Sequence, residues 1–227
     1  MNILPHIEIN PEKKADSTII WLHGLGSNGH DFKAIIPELE LPTHNRIRFI
    51  FPHAPTIPVT INSGHMMPAW YDILEMTFDR KIDKKQLKQS VKAVHAIIDR
   101  EIQRGINSQR IIIAGFSQGG AVALDAALTY TRSLAGLLGM STYFPTANSI
   151  DIAPANQDLP IQLFHGVYDA IVPETHGQKS IKTLSALGLK PGYQTFMMEH
   201  SLCMEEIIAI SKWVQALIGT VNRPSGE

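Results

Sequence analysis

Residues 110–121, Arg-Ile-Ile-Ile-Ala-Gly-Phe-Ser-Gln-Gly-Gly-Ala, restrict the fold of this chain more than any other stretch. Three consecutive isoleucines and Ala114 read as a buried strand, because β-branched side chains fill a pleated surface covered on both sides. The small residues Ala121, Ala123, Ala126 and Ala127 then recur at helical spacing. Between strand and helix lies Gly-Phe-Ser-Gln-Gly, the Gly-x-Ser-x-Gly pattern of a sharp strand-to-helix turn. A turn that tight tolerates almost no neighbouring side chain, and Gly115 and Gly119 supply the missing Cβ atoms. It lifts the Ser117 hydroxyl above the sheet and aims the first helix amides at one point, where an oxyanion would be held. A glycine- and serine-rich turn without chemistry has the same five letters. The flanking strand and helix are what favour a nucleophile.

The rest of the chain repeats the alternation of short apolar runs and helical patterns expected of an α/β sheet. Strands are expected at 18–23, 46–51, 134–142, 161–165 and 193–198, and a helix at about 31–38. Leu87, Val91, Val94, Ile98 and Ile102 mark one buried stripe of a surface helix. Ile181, Leu184 and Leu187 precede the helix-stopping Gly188. Cys203, Ile207, Ile210, Val214 and Leu217 line one face of a terminal helix. Residues 56–80 read as a long irregular segment. The expected organisation is a single domain over 1–227, with its core at about 17–219 and a frayed tail at 220–227.

Composition narrows the function classes. A net charge of −1 and a pI near 6.8 give no footprint for nucleic acid or an anionic membrane. The single cysteine excludes an internal disulfide and suits a reducing compartment. No apolar run approaches the roughly 20 residues of a membrane helix, and the first residues lack a signal-peptide core. A cytoplasmic enzyme is expected.

A serine nucleophile needs a base, itself oriented by a carboxylate, and in a sheet of this kind the chain order is serine, acid, histidine. Three histidines follow Ser117. His165 ends a strand too early to leave room for an acid, and His176 lies in a polar helical context that reads as solvated. His200 sits between the last strand and the last helix, where a loop can swing an imidazole over the turn. Asp169 lies just past the end of an apolar strand, the edge where ligands and catalytic groups of open α/β sheets collect. By itself it also fits a turn or cap residue. Asp151, Asp158 and Glu174 are alternatives in more solvated settings.

One oxyanion donor is expected from the amide after the nucleophile, Gln118, and the other from the loop after an early strand, where the Leu25 amide is chosen. That loop, Gly24-Leu25-Gly26-Ser27-Asn28-Gly29, also matches a dinucleotide fingerprint. The next strand, however, ends Phe49-Ile50-Phe51-Pro52-His53 without the acid a ribose needs. Met66 and Trp70 are expected to wall an acyl site, with packing onto the sheet as the alternative; Met67 reads as packing. Cys203 reads as a small hydrophobe rather than a nucleophile. His95 reads as a boundary histidine, and Lys81, Lys84, Lys85 and Lys88 as a solvated face. His6, His30, His44, His53 and His65 show no metal-ligand spacing.

With these pieces assembled, the chain resembles the carboxylesterase/acyl-protein thioesterase family of α/β-hydrolases. The resemblance rests on His23-Gly24-Leu25-Gly26, Gly115-Phe116-Ser117-Gln118-Gly119-Gly120, His165-Gly166 with Asp169, and Met198-Glu199-His200-Ser201. Residues 51–55, 58–62 and 69–73 add to it, and it runs from about Ile19 to Leu217. It implies an α/β-hydrolase fold with a mostly parallel twisted sheet, helices on both faces and no large cap. It implies Ser117, Asp169 and His200 as a catalytic triad, and Leu25 and Gln118 as oxyanion donors. The implied activity is that of a serine carboxylesterase working through an acyl-enzyme without cofactor or metal. Acyl-protein thioesterase and lysophospholipase are alternatives, and a non-catalytic binding protein a more distant one. Substrates are then acyl esters or thioesters, including lipidated protein or lysophospholipid, and a homodimer is left open. Residues 75–85 follow no pattern of the family, which leaves substrate choice open.

Overall fold

The structure, a computed structural model, describes residues 3–42, 44–75 and 80–219. The tail expected to fray, 220–227, lies outside the described residues, as do 76–79 of the divergent segment.

In chain order the first elements are strand β1 (His6–Ile9), strand β2 (Ser17–Leu22), helices α1 (Gly29–Lys33) and α2 (Ile35–Glu38), and strand β3 (Ile47–Pro52). Four short strands follow, β4 (Thr56–Val59), β5 (His65–Pro68), β6 (Ile73–Glu75) and β7 (Lys81–Ile82), and then the long helix α3 (Lys84–Gln103). The second half alternates regularly: β8 (Ile111–Phe116), α4 (Gln118–Thr129), β9 (Gly136–Met140), β10 (Ile161–Gly166), α5 (Glu174–Ala186), β11 (Pro191–Phe196) and α6 (Met204–Ile218).

Seven strands form one sheet in the order β1-β3-β2-β8-β9-β10-β11. Every neighbouring pair is parallel except the antiparallel edge pair β1 and β3. Side chains on a strand alternate faces, and the core divides accordingly. Ile20, Leu22, Ile111 and Ile113 join one apolar cluster with residues of α3 and α4. Ile19, Trp21, Ile112 and Ala114 join the other, beneath α2 and α6. Helices thus cover both faces, and there is no large cap. The protein has the α/β-hydrolase fold.

The local departures from expectation have physical causes. The segment expected as one helix splits at Ala34, because Pro37 has no N–H to continue the ladder. The stretch expected to be irregular forms two hairpins, β4 with β5 and β6 with β7. Strand β1 adds an edge before the expected start of the core. Cys203 precedes the last helix as its N-cap and packs against the same apolar cluster as Ile207, Ile210, Val214 and Leu217.

The two ends of the sheet differ in character. At the N-terminal ends of β2 and β3, the fully buried Glu101 carboxylate accepts from Thr18 Oγ1 at 3.0 Å and Arg48 Nη1 at 2.5 Å. Glu8, Arg100 and Arg104 extend this ion-pair cluster. The opposite, C-terminal edge carries Ser117, Asp169 and His200.

Candidate active site

Ser117 stands between β8 and α4 at φ 54°, ψ −119°, a strained conformation for a residue with a Cβ. The glycines around it are sterically required. A Cβ on Gly115 would lie 2.6 Å from Gly120 N, one on Gly119 2.5 Å from Leu22 O, and one on Gly120 2.6 Å from Thr142 Cβ. The turn is tied down through its backbone. Ser117 N–H donates to Met140 O at 2.9 Å, and Thr142 Oγ1 donates to Ser117 O at 2.7 Å.

His200, in the loop between β11 and α6, brings Nε2 to 3.0 Å from Ser117 Oγ and Nδ1 to 2.6 Å from Asp169 Oδ2. With the proton on Nδ1, that nitrogen donates to Asp169 and Nε2 accepts from the hydroxyl. The Phe116 ring packs against the imidazole at 4.7 Å between centroids. Asp169 is buried, and its other oxygen accepts the amides of Ile171 at 2.9 Å and Val172 at 2.7 Å. Burial pushes this carboxyl upward; the hydrogen bonds from His200 and the Val172 amide outweigh it and hold the group below the ordinary carboxylate range.

The other histidines have different tasks. His165 is buried, donates through Nε2 to Val172 O at 2.7 Å, and lies 3.6 Å from Asp169 Oδ2. Burial keeps it below the usual histidine range. His176, expected to be solvated, is buried and faces the Tyr143 ring edge-on. His95 Nε2 bonds Ala126 O at 2.8 Å beside Tyr130, as a boundary histidine would. Cys203 is half-buried, and burial together with the Glu205 carboxylate pushes its thiol upward, away from the reactive thiolate.

Leu25 and Gln118 both border the cavity beside Ser117. Gln118 opens α4, so its amide is one of the first N–H groups without an intrahelical acceptor. The Leu25 loop is held by Gly26 N–H to Pro68 O at 2.8 Å and Ser27 N–H to Gly24 O at 3.3 Å. The His23 imidazole, buried and kept below its usual range by that burial, donates Nδ1–H to Gly24 O at 2.7 Å and accepts Ala54 N–H at 3.1 Å. A capping box at Asn28 and Asp31 occupies the α1 N-terminus, where a pyrophosphate would sit in the dinucleotide reading.

A cavity of about 630 Å³ opens at Ser117. Its lining includes Phe32, Ile35, Leu202 and Ile207 from the cluster beneath α2 and α6, and Leu25, Ile61, Ile73 and Tyr143 from the other cluster, together with Ile171. Met66 and Trp70 are not on its wall among the described residues. Met66 is 63% exposed on β5. Trp70 is buried, donates Nε1–H to His23 O at 2.8 Å and its amide to Gln118 Oε1 at 2.9 Å, while Gln118 Nε2 donates to Tyr71 O at 2.7 Å. Trp70 therefore fastens the loop after β2 to the turn at Ser117 instead of walling the cavity. Composition signalled neither this staple nor Arg80, whose guanidinium reaches the wall from the divergent segment. Among the described residues, no group of three or more His, Cys, Asp or Glu side chains is placed to hold a metal ion, and no helix is long and apolar enough to cross a membrane.

Comparison with known proteins identifies the family. The chain is 39% identical over 221 residues to acyl-protein thioesterase 1 of Schizosaccharomyces pombe, covering 96% of this chain and 98% of that protein. It is 36% identical to acyl-protein thioesterase 1 of Gibberella zeae, over 91% of this chain and 92% of the relative. The crystal structure of Zea mays acyl-protein thioesterase 2 superposes with a TM-score of 0.81 at 28% identity, over 95% of this chain and 100% of that one. The sequence profile of the phospholipase/carboxylesterase family matches residues 5–218, and the chain belongs to that family as a serine hydrolase of acyl esters or thioesters.

Proposed function

We propose that this hydrolase works through Ser117, His200 and Asp169 and serves as an acyl-protein thioesterase that also accepts simple carboxylic esters. The observation that carries the reading is the continuous line from Asp169 through His200 to Ser117, opening into a mainly apolar cavity. The curated relatives, named acyl-protein thioesterases at 34–39% identity, favour a thioester-linked acyl chain as substrate.

The geometry supplies each step. His200 Nε2 takes the Ser117 proton as Oγ attacks the acyl carbonyl carbon, and Asp169 stabilises the imidazolium. The Leu25 and Gln118 amides receive the oxyanion. Collapse of the tetrahedral intermediate breaks the bond to sulfur or oxygen, and the leaving group departs with the proton from His200. Water then repeats the sequence on the acyl-Ser117 ester. The single cysteine, Cys203, is compatible with the reducing cytoplasm, where we place the activity within one domain spanning the chain.

The test is hydrolysis of p-nitrophenyl acetate, butyrate and octanoate, and of an S-octanoyl cysteine peptide, by the wild type and Ser117→Ala. A loss on the order of a thousandfold in the variant supports the mechanism. Comparable rates for the two proteins refute it. Faster cleavage of the peptide thioester than of the matching oxygen ester supports the thioesterase, and the reverse order makes the protein a carboxylesterase.

A further inference from the structure

Arg80 is the only lysine or arginine on the wall of the cavity among the described residues. Its backbone sits at φ 40°, in the left-handed region that side chains with a Cβ rarely occupy. The residue is only 8% exposed, and its guanidinium carbon lies 4.7 Å above the Tyr143 ring, a cation–π contact. That ring is itself fixed, because the Tyr143 and Tyr71 hydroxyls are 2.7 Å apart in a buried hydrogen bond.

Among the described residues no carboxylate lies within 4 Å of the guanidinium, and a buried cation without a counter-charge is unfavourable unless its donors are used. Arg80 directs Nη2 to the backbone carbonyl of Ile171. The Ile171 side chain is 57% exposed, so packing alone does not hold this residue in place. Yet its amide and that of Val172 are the two N–H groups that cradle Asp169 Oδ1. On the far side His165 fixes the Val172 carbonyl. The Ile171–Val172 peptide unit is thus held at both ends, its carbonyl by Arg80 and its amide by the carboxylate, and His165 fixes the carbonyl of the next unit.

We infer that Arg80 is a positioning residue for the hydrolysis: clamped on Tyr143, it holds the Ile171 carbonyl and so keeps Asp169 aimed at His200. The inference rests on the triad reading of the proposed function. A group that acts only through Asp169 affects turnover more than substrate affinity, and it has nothing left to do once the carboxylate is gone.

The experiment measures kcat and KM for p-nitrophenyl acetate and butyrate, normalised to folded protein by circular dichroism. The proteins are the wild type, Arg80→Met, Arg80→Lys, Asp169→Asn, and the double variant Arg80→Met with Asp169→Asn. Methionine keeps an apolar stem over Tyr143 and removes the donors. The expected result is a kcat about 10- to 100-fold lower in Arg80→Met with KM within about two-fold, and an intermediate value in Arg80→Lys. In the Asp169→Asn background the same change is expected to cost less than about three-fold. An equal loss in both backgrounds overturns the inference, as does a raised KM with kcat intact, the mark of a direct substrate contact. If Arg80→Met fails to fold, Arg80→Lys read in both Asp169 backgrounds decides by the same criterion. Full activity in Asp169→Asn refutes the triad reading itself, and the inference with it. A collapse in Asp169→Asn with normal kcat in Arg80→Met refutes the inference alone.

Discussion

Glu206 stands in the first turn of α6, where a helix N-terminus favours a negative charge by about 0.3–1 kcal/mol. Burial wins over that preference. The residue has no accessible surface, neither carboxyl oxygen has a hydrogen-bond partner, and burial pushes its pKa from 4.5 up to about 8. The native state therefore keeps a proton that the unfolded chain releases above pH 4.5. Where the native state binds more protons than the unfolded one, stability falls as pH rises. The loss begins near pH 4.5 and is complete above about pH 8, a window of 3.5 pH units. At about 1.4 kcal/mol per unit, the wild type loses at most about 5 kcal/mol across it through this group. Glu206→Gln keeps the shape and removes the titration. Urea unfolding at pH 5.5, 7.0 and 8.5 is the assay, read as the difference between the two proteins so that the histidines cancel. The variant is expected to gain on the wild type by about 1 kcal/mol or more for each pH unit between 5.5 and 7.5. Parallel stability curves would refute the reasoning, because they would mean that Glu206 is ionised and paired in the native state.

Two further outcomes follow from the site. Gly119→Ala places a Cβ 2.5 Å from the Leu22 carbonyl oxygen, a backbone atom that cannot step aside. Thermal unfolding is expected to show a loss of about 3 kcal/mol or more, or failure to fold; a Tm within two or three degrees of wild type would contradict it. Trp70→Phe keeps the buried ring and removes the donor to the His23 carbonyl. A kcat about ten-fold lower on every ester, with the order of chain-length preference unchanged, is expected for a residue that supports the oxyanion loop. A change confined to long acyl chains would return Trp70 to the cavity wall.

What could be read from the sequence was local or topological. The turn at Ser117 shows itself because its constraints fall within five residues, and the predicted role of Gly115 and Gly119 meets the close approach found at both. Asp169 and His200 were placed by their order after consecutive strands, and the structure brings both to Ser117. Cavity residues fared differently. A methionine or tryptophan in a long loop has the same signature whether it faces a substrate or a backbone carbonyl. For Trp70 the deciding partner lies 47 residues away and carries no side-chain identity, since it is the His23 carbonyl. For Arg80 the partner carbonyl lies 91 residues away.

These two unforeseen contacts belong to one stretch of chain, which shows how the site is held. Between β5 and α3, Trp70, Tyr71 and Arg80 reach the backbone at His23, the side chain of Gln118 and the carbonyl of Ile171. Trp70 takes the His23 carbonyl at the start of the Leu25 loop, and Gln118 clasps the amide of Trp70 and the carbonyl of Tyr71. Tyr71 locks Tyr143 through their hydroxyls, and Arg80, seated on Tyr143, takes the carbonyl beside the acid. The side chain of Gln118 thus does structural work at a residue that also borders the cavity, which gives the residue after Ser117 a reason to be glutamine. A sheet edge offers catalytic residues on independent loops, each free to drift by the ångström that costs about a hundredfold in rate. Here Trp70, Tyr71 and Arg80 of a single segment contact the loop after β2, the turn at Ser117 and the loop after β10 together. Substitutions at Trp70, Tyr71 or Arg80 are therefore expected to lower turnover on all substrates alike, whereas those at Ile61, on the cavity wall outside that segment, alter the choice among acyl chains.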